Sequence, residues 1–283
     1  MDLSAIESIL TEKITGSQPV GGGCIAYTRL IRTESGKEYF LKTGNYGDVF
    51  VKEAHGLKEL ARPEAIRIPE VIAATEDFIL MEYIRPGVKH PDFFESFGRR
   101  LARQHRFCSG QFGFYEDNYI GKTLQPNVPE GNEATEWPVF YLQKRLLFQF
   151  RLAEKNGYIT SGVRRSFSKL ESKIAAILKG SEEEPCLLHG DLWNGNFICD
   201  EQGNAVMIDP AVYYGHREAD LAMTRLFGGF PPVFYHAYQQ EYPLKNGWEY
   251  RDNIYRLYHV LNHLNMFGTG YLSETKYLIS GYL

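Results

Sequence analysis

Residues 188–210 read LHGDLWNGNFICDEQGNAVMIDP, and this stretch decides how the rest of the chain is interpreted. Three short apolar runs stand out, Cys186-Leu187-Leu188, Phe197-Ile198-Cys199 and Val206-Met207-Ile208. The turn-forming Asp200-Glu201-Gln202-Gly203-Asn204 separates the last two. Apolar strand, polar turn, apolar strand predicts a short β-hairpin. Such a hairpin sets Asn196 before its first strand and Asp209 after its second, so both side chains emerge at one end, beside Asp191. A single aspartate here would read as an Asx turn capping its own backbone. The three groups in this order make an oxygen-rich cup.

Mg²⁺ suits such a cup, because it takes oxygen ligands, few of them from protein, and completes its shell with water and nucleotide phosphates. Asn196 and Asp209 fit as its ligands, which leaves Asp191 to orient an attacking hydroxyl and accept its proton. The Asp191–Asn196 spacing equals that of the protein-kinase loop H-R-D-L-x-x-x-N. The Arg position of that motif is Gly190 here, and Asp209 is followed by Pro210-Ala211 rather than Phe-Gly.

At 283 residues the chain is long enough for two compact lobes or one large domain. Its 43% hydrophobic and 23% charged residues are those of a soluble globular protein. A net charge of -4 and the lack of a basic run argue against a nucleic-acid partner. No apolar window approaches the ~20 residues that span a bilayer, and the opening MDLSAIESILTEKI reads as an amphipathic helix rather than a signal peptide, so a cytoplasmic, membrane-free protein is expected. Cys24, Cys108, Cys186 and Cys199 show no C-x-x-C pairing and predict neither a zinc site nor a disulfide framework.

Upstream, three glycines, Gly21, Gly22 and Gly23, precede Cys24 and two β-rich runs joined by a Ser35-Gly36 turn. Glycine at a strand junction lets backbone amides approach phosphate oxygens, although a plain hairpin loop has the same look. Lys42 lies in the following apolar strand, where a charge needs a partner. The helix marked by Phe50, Ala54, Leu57 and Ala61 supplies Glu53, as an ion pair that positions ATP or as an unrelated solvated carboxylate. Strands at residues 71–74 and 78–83 complete an expected five-stranded sheet, and Arg85-Pro86-Gly87 breaks the pattern as a linker. Helical periods then follow at residues 93–105, 137–156, 164–178 and 250–267, with His105 expected as a satisfied core histidine and residues 113–135 as a long ordered loop near the cleft. Asp220 reads either as a first-turn carboxylate or as an acceptor for the backbone of the 189–191 loop.

With these residues in view, the chain resembles the fructosamine kinase (ketosamine 3-kinase) family, relatives of aminoglycoside and choline kinases on the protein-kinase-like fold. The resemblance rests on GGGCI at 21–25, DNYIGKTLQPN at 117–127, HGDLWNGN at 189–196, IDPAVYYGHREADLAM at 208–223 and LFGGF at 226–230. It implies an α+β bilobal fold, with a small antiparallel-sheet lobe over 1–84 and a larger, mainly helical lobe over 85–283. It also implies ATP- and Mg²⁺-dependent phosphorylation of the 3-hydroxyl of a ketosamine, whose adduct then falls apart and frees the amine: deglycation, a protein-repair activity.

Carried over residue by residue, the resemblance makes Asp191 the catalytic base, Asn196 and Asp209 the metal ligands, Lys42 the phosphate-binding lysine and Glu53 its partner. Gly21, Gly22 and Gly23 would cover the phosphates, and the backbone of Glu82, Tyr83 and Ile84 would meet the adenine. Trp193, Tyr214, His216 and Glu218 are the candidates for the sugar pocket. Asn194 stands where animal members carry a Ser-like residue, and Lys122-Thr123-Leu124 replaces a smaller polar run. Resemblance to the family's microbial members implies ribulosamines and erythrulosamines as the expected acceptors over fructosamines. An antibiotic or choline kinase of the same fold, or a nucleotide-binding regulator without transfer activity, is the alternative reading. Cys24 is expected either as a redox-sensitive thiol that links two copies of the chain in a homodimer or as a reduced thiol facing the hairpin.

Overall fold

The structure is a computed structural model that describes residues 3–21 and 26–283. It opens with α1 (Ser4–Leu10), β1 (Ile14–Pro19), β2 (Tyr27–Thr33), β3 (Glu38–Thr43), α2 (Val49–Ala61), β4 (Val71–Ala74) and β5 (Phe78–Glu82). The strands form one antiparallel sheet in the order β1-β2-β3-β5-β4. The opening helix is shorter than its amphipathic period predicts. Thr11 turns left-handed at φ 55°, and the Glu7 carboxylate accepts the amide of Ile14, so Ile14 starts the first strand instead.

Strand alternation divides the sheet into two apolar faces. Ile31, Leu41, Phe78 and Leu80 pack with Ile6 of α1 on one side, while Ile79 and Met81 pack with Phe50, Ala54 and Leu57 of α2 on the other. Lys42 follows Leu41 and pairs in register with Ile79, so its side chain belongs to the α2 face. That alternation aims the ammonium at α2.

The remainder begins with α3 (Phe93–Gln104), a small hairpin β6 (Asn118–Ile120) and β7 (Thr123–Gln125), and α4 (Trp137–Phe140). A π-helical stretch, Tyr141–Leu147, joins α4 to α5 (Phe148–Lys155), so the expected helix over 137–156 is one rod with a bulge. The period at 164–178 is two helices, α6 (Ser161–Glu171), N-capped by Thr160, and α7 (Ile174–Leu178). Next come β8 (Cys186–Leu188), β9 (Phe197–Cys199), β10 (Ala205–Met207), β11 (Tyr213–Gly215), α8 (Glu218–Thr224), α9 (Pro232–Glu241), α10 (Trp248–Phe267) and α11 (Leu272–Ser280).

The expected hairpin is β9–β10, with Ala205 opposite Cys199. Its turn is an Asx turn in which Asp200 accepts the amides of Gln202 and Asn204. Edge-to-face contacts among Phe97, Phe197, Phe230 and Phe234 seat the hairpin on α3 and α9. Arg67 bonds both Asp200 and Glu82, and the Gly87 amide donates to Cys199 O, which ties the hairpin to the sheet. A side chain at position 87 would meet Asp200 O at 2.0 Å, so the chain needs glycine there. No helix among the described residues is long and apolar enough to cross a membrane.

Candidate active site

The loop between β8 and β9 carries Asp191, and the backbone around it is held from three sides. The Asp220 carboxylate, at the start of α8, accepts the amides of His189 (2.7 Å) and Gly190 (2.8 Å) and bonds His105 Nε2 at 3.2 Å. His105 is fully buried and also meets Tyr238, as expected of a satisfied core histidine. Burial alone would raise the Asp220 carboxyl, but bonds and charge from His105, together with His189 and the Gly190 amide, hold it below the usual range. His189 donates from Nε2 to Ile208 O and accepts the Asp191 amide at Nδ1, and burial pushes its imidazole below the usual range.

Gly190 explains the departure from the H-R-D pattern. It lies at φ 81°, and a Cβ there would come within 2.0 Å of Ala211 O. The loop packs directly on the strand that follows Asp209, with the Ala211 amide donating to His189 O.

Asn196 joins the two acidic groups. Its Nδ2 donates to Asp191 O (2.7 Å), Asp191 Oδ2 (3.0 Å) and Asp209 O (3.4 Å). These bonds all use the nitrogen, so the Oδ1 lone pairs remain available. Asp209 adopts φ 54°, a left-handed conformation for a residue with a side chain, held by the hairpin on one side and the 211–215 segment on the other. Its carboxylate pairs with the Lys42 ammonium, and Lys42 bonds Glu53 at 2.6 Å. Burial alone would lower the Lys42 ammonium, but the charges of Asp209 and Glu53 outweigh it and hold it above its ordinary value. Burial, with the like charge of Asp209, pushes Glu53 up. Burial also pushes the Asp191 carboxyl well up, partly offset by the Asn196 bond.

One cleft receives Lys42, Glu53, Asp191, Trp193, Asn196 and Asp209. Its walls include residues that the sequence reading left as core or loop. Asn118, Tyr119, Ile120 and Gly121 enter from the β6 hairpin, and Asn262, His263, Met266 and Phe267 from the last turns of α10. Phe227 meets Trp193 edge-on and His263 at a tilt, with ring centroids 4.8 Å apart in the second pair. The polar pair Asn262-His263, interrupting an apolar period, was the available signal that α10 is more than core.

Three sugar-pocket candidates lie away from the cleft. Tyr214 is drawn into β11 and donates to Glu59 of α2. His216 is buried, donates to Ser181 O and stacks on Tyr255. Glu218 is buried in a two-bond ion pair with Arg251. The chain turns into the core immediately after Pro210, so none of the three lines the cleft. The Glu82 carboxylate is engaged by Arg67 and the Glu70 amide, which leaves only its backbone for a nucleotide base. Gly21 is exposed, and Gly22, Gly23 and Cys24 lie outside the described residues.

Sheet, helical part and the lysine–carboxylate–amide cluster between them are those of a kinase of the protein-kinase-like class. A choline kinase from Streptococcus pneumoniae, 18% identical, superposes with a TM-score of 0.64 over 99% of this chain and 96% of its own, a likeness of fold alone. The family described as fructosamine kinase matches residues 4–283, and this chain belongs to it. A ketoamine kinase of Enterococcus faecium, named as probable, is 38% identical across 100% of both chains. A chloroplastic protein-ribulosamine 3-kinase of Oryza sativa subsp. indica is 39% identical over 97% of this chain and 82% of its own. A crystal structure from Thermobifida fusca, provisionally designated a fructosamine-3-kinase, is 30% identical and superposes with a TM-score of 0.89 over 99% of this chain and 97% of its own.

Proposed function

We propose that the chain transfers the γ-phosphoryl group of ATP to the 3-hydroxyl of a ketosamine, with ribulosamines and erythrulosamines preferred over fructosamines. The observation that carries this reading is the convergence of Asp191, Asn196, Asp209 and Lys42 on one cleft whose far wall is aromatic and polar, formed by Trp193, His263 and Phe267. Such a wall suits a polyol chain, with ring faces against C–H groups and Asn262 and His263 for hydroxyls.

In this reading Lys42, steadied by Glu53, neutralises phosphate oxygens. Asp191 sits beside the acceptor hydroxyl and takes its proton as the O–P bond forms. Its raised affinity for protons suits a base that works near neutral pH. The donor set fits Mg²⁺: Asn196 Oδ1 accepts no hydrogen bond from the described residues, and Asp209 has a second carboxylate oxygen beside the one that meets Lys42. Asn196 and Asp209 would hold the Mg²⁺, which would supply charge stabilisation for the transferring phosphoryl group. The backbone from Glu82 to Ile84 is assigned to the adenine and the 21–23 glycines to the phosphates. A cytoplasmic location goes with ATP as co-substrate. A homodimer linked through Cys24 is a separate part of the proposal, tested by gel mobility with and without reductant.

The test is Mg²⁺-dependent ADP release with ribuloselysine, fructoselysine, kanamycin, choline or no acceptor, for wild type and Asp191→Asn. Ketosamine-stimulated turnover that is lost in the variant is expected. Stimulation by kanamycin or choline alone would replace the substrate assignment, and ATP binding with no turnover on any acceptor would point to a regulator.

A further inference from the structure

Two of the cysteines stand face to face across a pair of antiparallel segments. Cys108, just after α3, and Cys186, which opens β8, form an antiparallel bridge. The hydrogen bonds that make it run on either side of the two cysteines, from the Leu187 amide to Phe107 O and from the Ser109 amide to Pro185 O, each 2.9 Å. The cysteines therefore occupy a non-hydrogen-bonded site, where opposing Cα atoms approach to about 4.5 Å and side chains leave on the same face. A disulfide spans Cα separations of roughly 4.4–6.8 Å. Both thiols are free: Cys108 is partly exposed, with its Sγ toward Arg106 O, and Cys186 is buried.

We propose that Cys108 and Cys186 are a disulfide-forming pair that closes under peroxide stress and braces the strand leading into the catalytic loop. Cys108, the solvent-reached thiol, is oxidised first: its sulfur attacks hydrogen peroxide, the O–O bond breaks, and a sulfenic acid and one water result. The Cys186 sulfur then attacks the Cys108 sulfur, the S–O bond breaks, a second water leaves, and the S–S bond remains. Two thiols lose two electrons to one peroxide. Burial holds both thiols protonated, with Glu184 adding to the effect at Cys108, so closure needs sustained oxidant rather than a trace.

Rotation about the Cα–Cβ bonds brings the sulfurs together while the backbone bonds on either side stay made. The bond therefore leaves Asp191 in place and ties a long loop, between the end of α3 and the strand three residues before His189. The consequence is stabilisation rather than inhibition.

The experiment treats the full chain with millimolar hydrogen peroxide, blocks remaining thiols, and maps peptides without reductant. The expected result is a linked peptide joining Cys108 to Cys186, 2 Da lighter than the reduced pair and lost in Cys108→Ser and in Cys186→Ser. Thermal unfolding of the oxidised wild type should rise by on the order of 5 °C and return after dithiothreitol, with both serine variants unresponsive. Sulfinic acid at Cys108 with Cys186 still free, or a link formed only through Cys24, would overturn the proposal. So would a fall in Tm or in kcat that tracks formation of the 108–186 link.

Discussion

Replacing Asp220 by asparagine keeps the shape of the side chain and removes one acceptor. In the native protein one carboxylate oxygen takes the His189 amide and His105, while the other takes the Gly190 amide. An asparagine has a single acceptor oxygen, so its NH₂ must face either Gly190 N–H or the His189 and His105 donors. One buried donor is left unpaired against another donor, in a group only 1% exposed. A hydrogen bond to a charged group contributes about 1.5–3 kcal/mol, and an unsatisfied buried amide costs about 1–3 kcal/mol. Asp220→Asn should therefore lose roughly 3 kcal/mol in urea unfolding, with an unchanged m-value. The loop that carries Asp191 loosens as well, and, with Asp191 as the proposed base, a displacement of about 1 Å there lowers kcat on the order of 100-fold. A loss under about 0.5 kcal/mol together with kcat within twofold of wild type would refute the argument that Asp220 holds this loop.

Gly190→Ala should be damaging for a different reason. A left-handed alanine costs about 1–2 kcal/mol, and its Cβ must push Ala211 away, two residues from Asp209, so kcat should fall more than nucleotide affinity, measured by steady-state kinetics and calorimetry. Acid should destabilise the fold through His259, which burial and its neighbour His263 hold down at about 3. A histidine near 6.5 when unfolded binds more protons than the native one between pH 6.5 and 3, so stability is present above 6.5 and declines as pH falls through that window. About 2 kcal/mol should be lost between pH 8 and pH 5, read from urea midpoints, and His259→Leu should flatten the slope. Truncating the aromatic wall, in His263→Ala or Phe267→Ala, should raise the acceptor KM about tenfold with the ATP KM unchanged; a reversed pattern would move the acceptor to another wall.

Much of the candidate site's geometry was legible because it is local in sequence. The hairpin period at 197–207 sets Asn196 and Asp209 at one end, and a turn of Asp, Gly and Asn leaves few other foldings for so short a segment. Strand alternation likewise sends Lys42 to the same face as Ile79, and the period of α2 places Glu53 one turn from Phe50. Membership of the fructosamine kinase family and the α+β fold follow from such runs of adjacent residues.

What the chain alone left open depends on separations of many residues. Tyr214, His216 and Glu218 carry the right chemistry for a sugar pocket and stand a few residues after Asp209, yet packing of β11 on β8 and the partners Glu59, Ser181 and Arg251 turn them inward. Conversely, Asn262, His263 and Phe267 belong to a helix whose period reads as core, and they reach the cleft only because α10 ends beside Trp193. The same holds for Cys108 and Cys186, which have no spacing that pairs them and meet only through an isolated antiparallel bridge between segments distant in the chain. Periodicity records which way a side chain points from its own backbone. Whether that direction meets a partner, a cavity or water is decided by the helices and strands that arrive from elsewhere in the chain.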